Sequence, residues 1–138
     1  MSIIAHERIA RQMGTDWQPS EEQEQETVFE WVMLMSKQFP ELDLLFHVPN
    51  GGLRTKSEAV RFKRAGVKPG VPDLILPVPR GGFHGLFIEM KRRRGGRVSE
   101  EQQAWIDALR GQMYRAEVAH GAEEACDLIM EYLQETEQ

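Results

Sequence analysis

Between Ser20 and Lys37 the apolar residues return at helical spacing, with Val28, Trp31, Val32 and Met35 on one stripe. Ser20 and Gln23 have the spacing of a capping box, which places the start of that helix. Ahead of it, residues 1–19 show no clear period. Ile3, Ile4 and Ile9 fit either a short helix or a segment that packs on a partner, and 1–19 is set apart as an N-terminal extension. Leu42 to Val48 reads as a strand closed by the turn residues Pro49-Asn50-Gly51-Gly52. Thr55 and Glu58 repeat the capping-box spacing before a second helix, which carries Ala59, Phe62 and Lys63 along one face and stops at Gly66.

Pro69-Gly70-Val71-Pro72 is too stiff to continue a helix and delivers Asp73 to the apolar run Leu74-Ile75-Leu76, a central strand. A short turn through Pro79, Gly81, Gly82 and Gly85 leads to a strand over Leu86–Lys91, which should run antiparallel to its predecessor because the connection is brief. Arg92 to Arg97 is a basic loop. Ser99 caps a helix with Trp105, Ile106 and Leu109 that stops at Gly111, Tyr114–Ala119 is a strand, and Ala122–Leu133 a last helix. The predicted order is αβαββαβα.

Length adds a bound: 138 residues suffice for one compact α/β domain and not for two, so 20–138 is read as a single unit. The chain has no apolar run of membrane-spanning length and no secretory leader pattern, and a cytoplasmic, membrane-free protein is expected. The lone Cys126 sits among Ala122, Ala125 and Ile129, where a thiol reads as a small buried hydrophobe.

Net charge alters the picture more. The total of −5 hides a polarised distribution, because Arg54–Arg97 holds twelve Lys/Arg against Glu58, Asp73 and Glu89, leaving that segment at +9 and the rest at −14. Clustered cations release counterions from a nucleic-acid backbone, so local basicity can bind phosphate in an acidic protein; a solvated basic face has the same composition.

Within that segment, strand alternation puts Glu89 and Lys91 on one face and leaves Met90 to offer only its carbonyl. Asp73, at the head of the neighbouring strand, reaches Glu89 if the hairpin register aligns them. Two converging carboxylates make a hard-oxygen site suited to Mg²⁺, with Lys91 beside it to steady a water and a phosphate. Whether Lys91 ever acts as a neutral base is left open. A surface Glu-Lys pair and an aspartate in a post-proline turn share this spacing.

Three stretches, Phe46-His47-Val48-Pro49-Asn50-Gly51-Gly52, Gly66 to Leu74, and His84 to Lys91, together resemble the virus-type replication-repair nuclease (VRR-NUC) domain of the PD-(D/E)xK nuclease superfamily. The resemblance runs from about Ser20 to Leu133. It implies a mixed β-sheet flanked by helices around a restriction-endonuclease-like core, Mg²⁺ or Mn²⁺ as cofactor, and hydrolysis of DNA phosphodiesters. It further implies a homodimer acting on branched DNA, four-way (Holliday) junctions above all, in DNA repair or, if phage-encoded, in the host cytoplasm. A flap or general nuclease, and a catalytically silent DNA-binding module, are the alternatives.

Carried over by position, the resemblance assigns Asp73, Glu89, Lys91 and Gln102 to catalysis, and Asp73, Glu89 and the Met90 carbonyl to metal. It also asks for a helix-borne glutamate that serves both. Glu21 and Glu24 lie equally near the apolar stripe of their helix; Glu21 is the first choice, although an acid just after the Ser20 cap is also favoured by the helix dipole. Gln102, three residues after Ser99, has a capping-box role open to it as well. His6, His47, His84 and His120 lack zinc-ligand spacing, so no structural zinc is expected, while His47 and Asn50 lie in the resembling segments, where support of the site and plain loop structure at Pro49-Asn50-Gly51-Gly52 are equally open readings. Arg92, Arg93, Arg94 and Arg97, with Lys56 and Lys68, are the expected phosphate contacts.

Overall fold

The computed structural model describes residues 2–49 and 55–135. Five helices and four strands follow one another: α1 (Ile3–Met13), α2 (Glu21–Met35), β1 (Phe46–His47), α3 (Lys56–Arg64), β2 (Leu74–Leu76), β3 (Leu86–Lys91), α4 (Glu100–Gly111), β4 (Arg115–His120) and α5 (Ala122–Leu133). The sheet order is β1-β2-β3-β4, antiparallel between β1, β2 and β3 and parallel between β3 and β4. A short turn suffices for the β2–β3 hairpin, whereas the parallel step needs a crossover, which α4 supplies. The expected mixed sheet flanked by helices is present.

Alternation on the sheet sorts the side chains. Leu74 and Leu76 of β2 and Leu86, Ile88 and Met90 of β3 enter one core with Val28 and Val32 of α2 and Ala125, Ile129 and Tyr132 of α5. The Tyr132 hydroxyl, buried there, donates to the Val78 carbonyl. Burial pushes the Cys126 thiol up to about 12, helped by the charge of Asp127, which keeps it in the inert thiol form. The opposite face carries Phe87, Glu89 and Lys91, and there Ile106 of α4 and Ala116 of β4 are buried.

One segment departs from the sequence reading, and a second settles a choice that the sequence left open. The strand expected over Leu42–Val48 shrinks to Phe46–His47, behind a 3₁₀ turn over Pro40–Leu44. Leu42 and Leu45 are buried while Leu44 and Phe46 are exposed, so the run has the three-residue period of a 3₁₀ turn instead of the two-residue period of a strand. The N-terminal extension contains a formed helix, capped by the Ser2 hydroxyl on the Ala5 amide and closed by Gly14, whose φ of 67° lets its amide return to the Ala10 and Arg11 carbonyls. Of the turn at 49–52, Asn50, Gly51 and Gly52 lie outside the described residues. No described helix is long and apolar enough to cross a membrane.

Candidate active site

Asp73 stands one residue before the first paired position of β2. The Leu74–Ile88 register, continued by one step, sets it opposite Glu89 on the same face of the hairpin. Its Oδ2 accepts the Met90 amide at 2.8 Å, and its carbonyl accepts from the Val48 amide at 2.8 Å and from His47 Nδ1 at 2.9 Å. A carbonyl can only accept, so His47 is protonated at Nδ1.

The segment before Asp73 is fixed from the side. Gly70, at a φ of 86°, lies against the first turn of α4; a Cβ there would meet the Glu101 carbonyl carbon at 2.7 Å, so no other residue fits. The Trp105 indole donates to the Pro69 carbonyl at 3.0 Å. The stiff Pro-Gly-Val-Pro stretch is thereby clamped to a helix, which sets the position of Asp73.

Glu89 is 3% exposed and Lys91 7%, two ionisable groups within an otherwise apolar strand. Lys91 Nζ lies 3.8 Å from Glu89 Oε1, and Gln102 Nε2 donates to the same oxygen at 2.7 Å. Gln102 makes the capping-box contact open to it in the sequence and reaches Glu89 as well. Its Oε1 accepts the Ser99 amide at 2.9 Å in a complete capping box, which turns the amide nitrogen toward Glu89. A cap contact thus aims a site residue.

Burial is the main cause that lifts the Glu89 carboxyl to about 8, followed by the negative charge of Asp73; Lys91 opposes both, and Glu21 adds to the rise. Burial also raises Asp73, while the Met90 amide and the His47 charge pull it back. The two carboxyls face each other, and near neutrality one proton between them lets Glu89 donate to Asp73. When ionised, neither can donate, and Glu89 Oε2 is buried without a hydrogen-bond partner among the described residues. A cation is the natural complement to that oxygen. The donor set, two carboxylates with the backbone of Met90 at hand, fits a hard divalent ion of the Mg²⁺ kind, which retains waters and completes its shell with substrate oxygens. Among the described residues no group of three or more His, Cys, Asp or Glu side chains forms a closed metal cage.

A carboxyl whose pKa is lifted by folding binds its proton more tightly in the folded than in the unfolded chain. Metal-free protein should therefore lose stability as pH rises from about 5 through about 8. Glu89→Gln should flatten that decline and melt several degrees above the wild type near pH 8.5. Melting curves in EDTA across this range decide it, and parallel pH dependence of the two proteins would clear Glu89 of the effect.

An open cleft of about 670 Å³ lies in front of these groups, lined by Ser20, Glu21, His47, Asp73, Met90 and Arg92 among others. Glu21 is exposed on its wall, and Glu24 is not there. Glu24 is completely buried and accepts from Arg93 at both oxygens, 2.9 and 3.0 Å, with the Ala122 amide as a further donor. Burial raises its carboxyl, and the Ala122 amide lowers it. It serves as a distant cap for α5, whose N-cap Gly121 has no side chain to offer. A Cβ on Gly121 would meet Glu24 Oε2 at 2.7 Å, so the glycine leaves room for the ion pair.

The basic loop divides accordingly. Arg92 lines the cleft, whereas the Arg93 guanidinium, expected to meet phosphate, is engaged by Glu24 and by Glu7 of α1. Arg94 is held through its backbone, its amide and carbonyl both bonded at 3.2 Å to the Gln18 side chain, and its own side chain remains exposed. Arg97, Lys56 and Lys68 are exposed outside the cleft lining. Glu7, Gln18 and Gly121 gave no signal in the sequence, because each acts through a partner far along the chain. Glu24 did give one: it lies four residues before Val28 and eight before Val32, an acid on a core stripe.

The VRR-NUC domain family model matches residues 7–123. The chain belongs to the VRR-NUC family. A solved structure named "VRR_NUC domain protein" is 33% identical to it, superposes with a TM-score of 0.75, and shares 86% of this chain and 92% of its own. No curated protein matches the chain. VRR-NUC membership makes this a nuclease of the PD-(D/E)xK type with DNA as its substrate.

Proposed function

We propose that this VRR-NUC domain is a divalent-metal-dependent DNA endonuclease with Asp73, Glu89, Lys91, Gln102 and Glu21 as its working residues. The observation that carries this reading is the buried, unpartnered Glu89 oxygen facing Asp73 beside a buried lysine. Asp73, Glu89 and the Met90 carbonyl would hold Mg²⁺ or Mn²⁺, with Glu21 reaching in from α2 through water. When bound, the ion supplies a water of lowered pKa and charge for the phosphoryl oxygens. Lys91 contributes a fixed positive charge for the attacked phosphate, close to where negative charge grows. Gln102 holds Glu89 in place, and the burial of Glu89 and Lys91 keeps bulk water from competing.

Four-way junctions are the favoured substrate. Paired cuts across a junction need two centres, one domain of this size supplies one, and a two-fold dimer is the commonest way to supply the second. Exposed Met33 and Leu34 on α2 and Ile4 and Met13 on α1 offer apolar positions for such pairing, whereas Phe29 is packed against the core. Labelled duplex, flap and four-way DNA incubated with Mg²⁺, Mn²⁺ or EDTA test the reading, with light scattering alongside. Equal cutting of all three forms would favour a general nuclease, and binding without cutting in either metal a silent DNA-binding module.

Phosphate contact in the loop falls to Arg92 and Arg94. Replacing both with Gln should weaken binding to every DNA form and lower the slope of log affinity against log salt by about 2, one unit per lost contact. A titration with the wild-type slope would return these arginines to the solvated face.

A further inference from the structure

α3 is the least supported element of this fold. None of its nine residues is buried, and Val60 is 56% exposed. The Thr55 hydroxyl caps it by accepting the Glu58 amide at 3.1 Å. A helix this short is marginal in water unless packing holds it, and of its apolar side chains only Phe62 is partly buried. Its charge is one-sided: Lys56, Arg61, Lys63 and Arg64 stand against Glu58 alone. No ion pair among the described residues involves Lys56, Lys63 or Arg64.

Beyond α3 the chain is anchored. Gly66, at a φ of 97°, ends the helical turn, and from Pro69 onward the backbone is seated on α4 and leads directly to Asp73. Asp73 lies nine positions after Arg64. The basic turn therefore lies within roughly 30 Å of the site, even if the chain between were fully extended. That is less than one turn of duplex, about 34 Å. A duplex that has its scissile phosphate at Asp73 and runs along the α3 side of the fold has flanking phosphates within that distance.

We propose that α3 is a docking arm for the phosphate backbone of duplex DNA flanking the cleaved bond, and that this contact completes its order. The proposal rests on the nuclease reading and adds to it a binding element outside the cleft. A second copy of the chain suits α3 less well, because four cations repel their symmetry mates and Val60 is the one large apolar side chain it exposes.

Amide hydrogen exchange of the full chain, with and without a 20-base-pair duplex in EDTA, tests this. Amides of residues 56–64 should exchange quickly in the free protein and slow at least about tenfold on DNA. The triple variant Lys56→Gln, Lys63→Gln, Arg64→Gln should lower the salt slope of duplex binding by about 3 and leave the melting temperature within a degree or two, since nothing buried is touched. Unchanged exchange on DNA, or an unchanged salt slope, in a protein that still cuts DNA with Mg²⁺ would overturn the α3 proposal and spare the nuclease reading. Protection that rises with protein concentration and not with DNA would overturn it in favour of self-association. A wild type that cuts no DNA in either metal would instead remove the nuclease reading.

Discussion

Asp73→Asn and Glu89→Gln should each lower metal-dependent DNA cleavage roughly a thousandfold or more while leaving the protein folded, since several kcal/mol of transition-state stabilisation depend on these charges. Both substitutions preserve shape. A carboxamide at position 73 would still accept the Met90 amide through its oxygen, and one at position 89 would still accept from Gln102, so the local hydrogen bonds survive while the donor set loses a charge. Lys91→Ala should be as inactive, with a cost in stability as well, because it removes the cation beside a buried acid. Single-turnover cleavage of a labelled junction, together with circular dichroism of each variant, provides the measurement. A folded carboxamide variant cutting at the wild-type rate with the same metal requirement would show that the site lies elsewhere.

Arg93→Ala should be the most destabilising of the arginine substitutions, by about 3 kcal/mol, because it strands the fully buried Glu24 without its cation. For a domain of this size that is a fall in melting temperature on the order of 10 °C. Arg92→Ala and Arg94→Ala should melt close to the wild type, since neither side chain makes an ion pair among the described residues, and their effects should appear in DNA affinity instead. Glu24→Gln in the Arg93→Ala background should recover part of the loss by removing the stranded charge. Thermal melts of this series separate a structural arginine from the two proposed to bind phosphate. Equal melting temperatures for all three, with equal losses of affinity, would place Arg93 back among the phosphate contacts.

This split within one Arg-Arg-Arg run marks the reach of a linear pattern. Composition identifies the loop as basic, and the alternation of β3 puts Glu89 and Lys91 on one face. Neither tells which arginine turns inward, because that depends on Glu24 and Glu7, 69 and 86 residues away along the chain. Glu21 and Glu24 pose the same problem on one helix. Both lie near the apolar stripe, but a wheel gives angle and no depth; the packing of α5 against α2 buries one acid, while the other stays on the cleft wall. The 3₁₀ turn ahead of β1 reads as strand in the sequence because apolar residues at 42, 44, 45 and 46 satisfy both periods until burial shows which of them face the core.

Much of what is set by neighbours within a few residues was legible in the chain alone. The caps at Ser20, Thr55 and Ser99, the limits of α4 and α5, the antiparallel hairpin and the shared face of Glu89 and Lys91 all follow from local hydrogen bonding and from the fixed periods of helix and strand. Long-range packing settled what depends on residues brought together from afar. It set Asp73 opposite Glu89 by clamping Gly70 on α4, gave the Ser99 cap a second task through Gln102, and turned one arginine of three into a strut. It also left α3 exposed. Those outcomes are differences between burial, pairing and desolvation at particular depths, and depth is the quantity that a linear pattern does not carry.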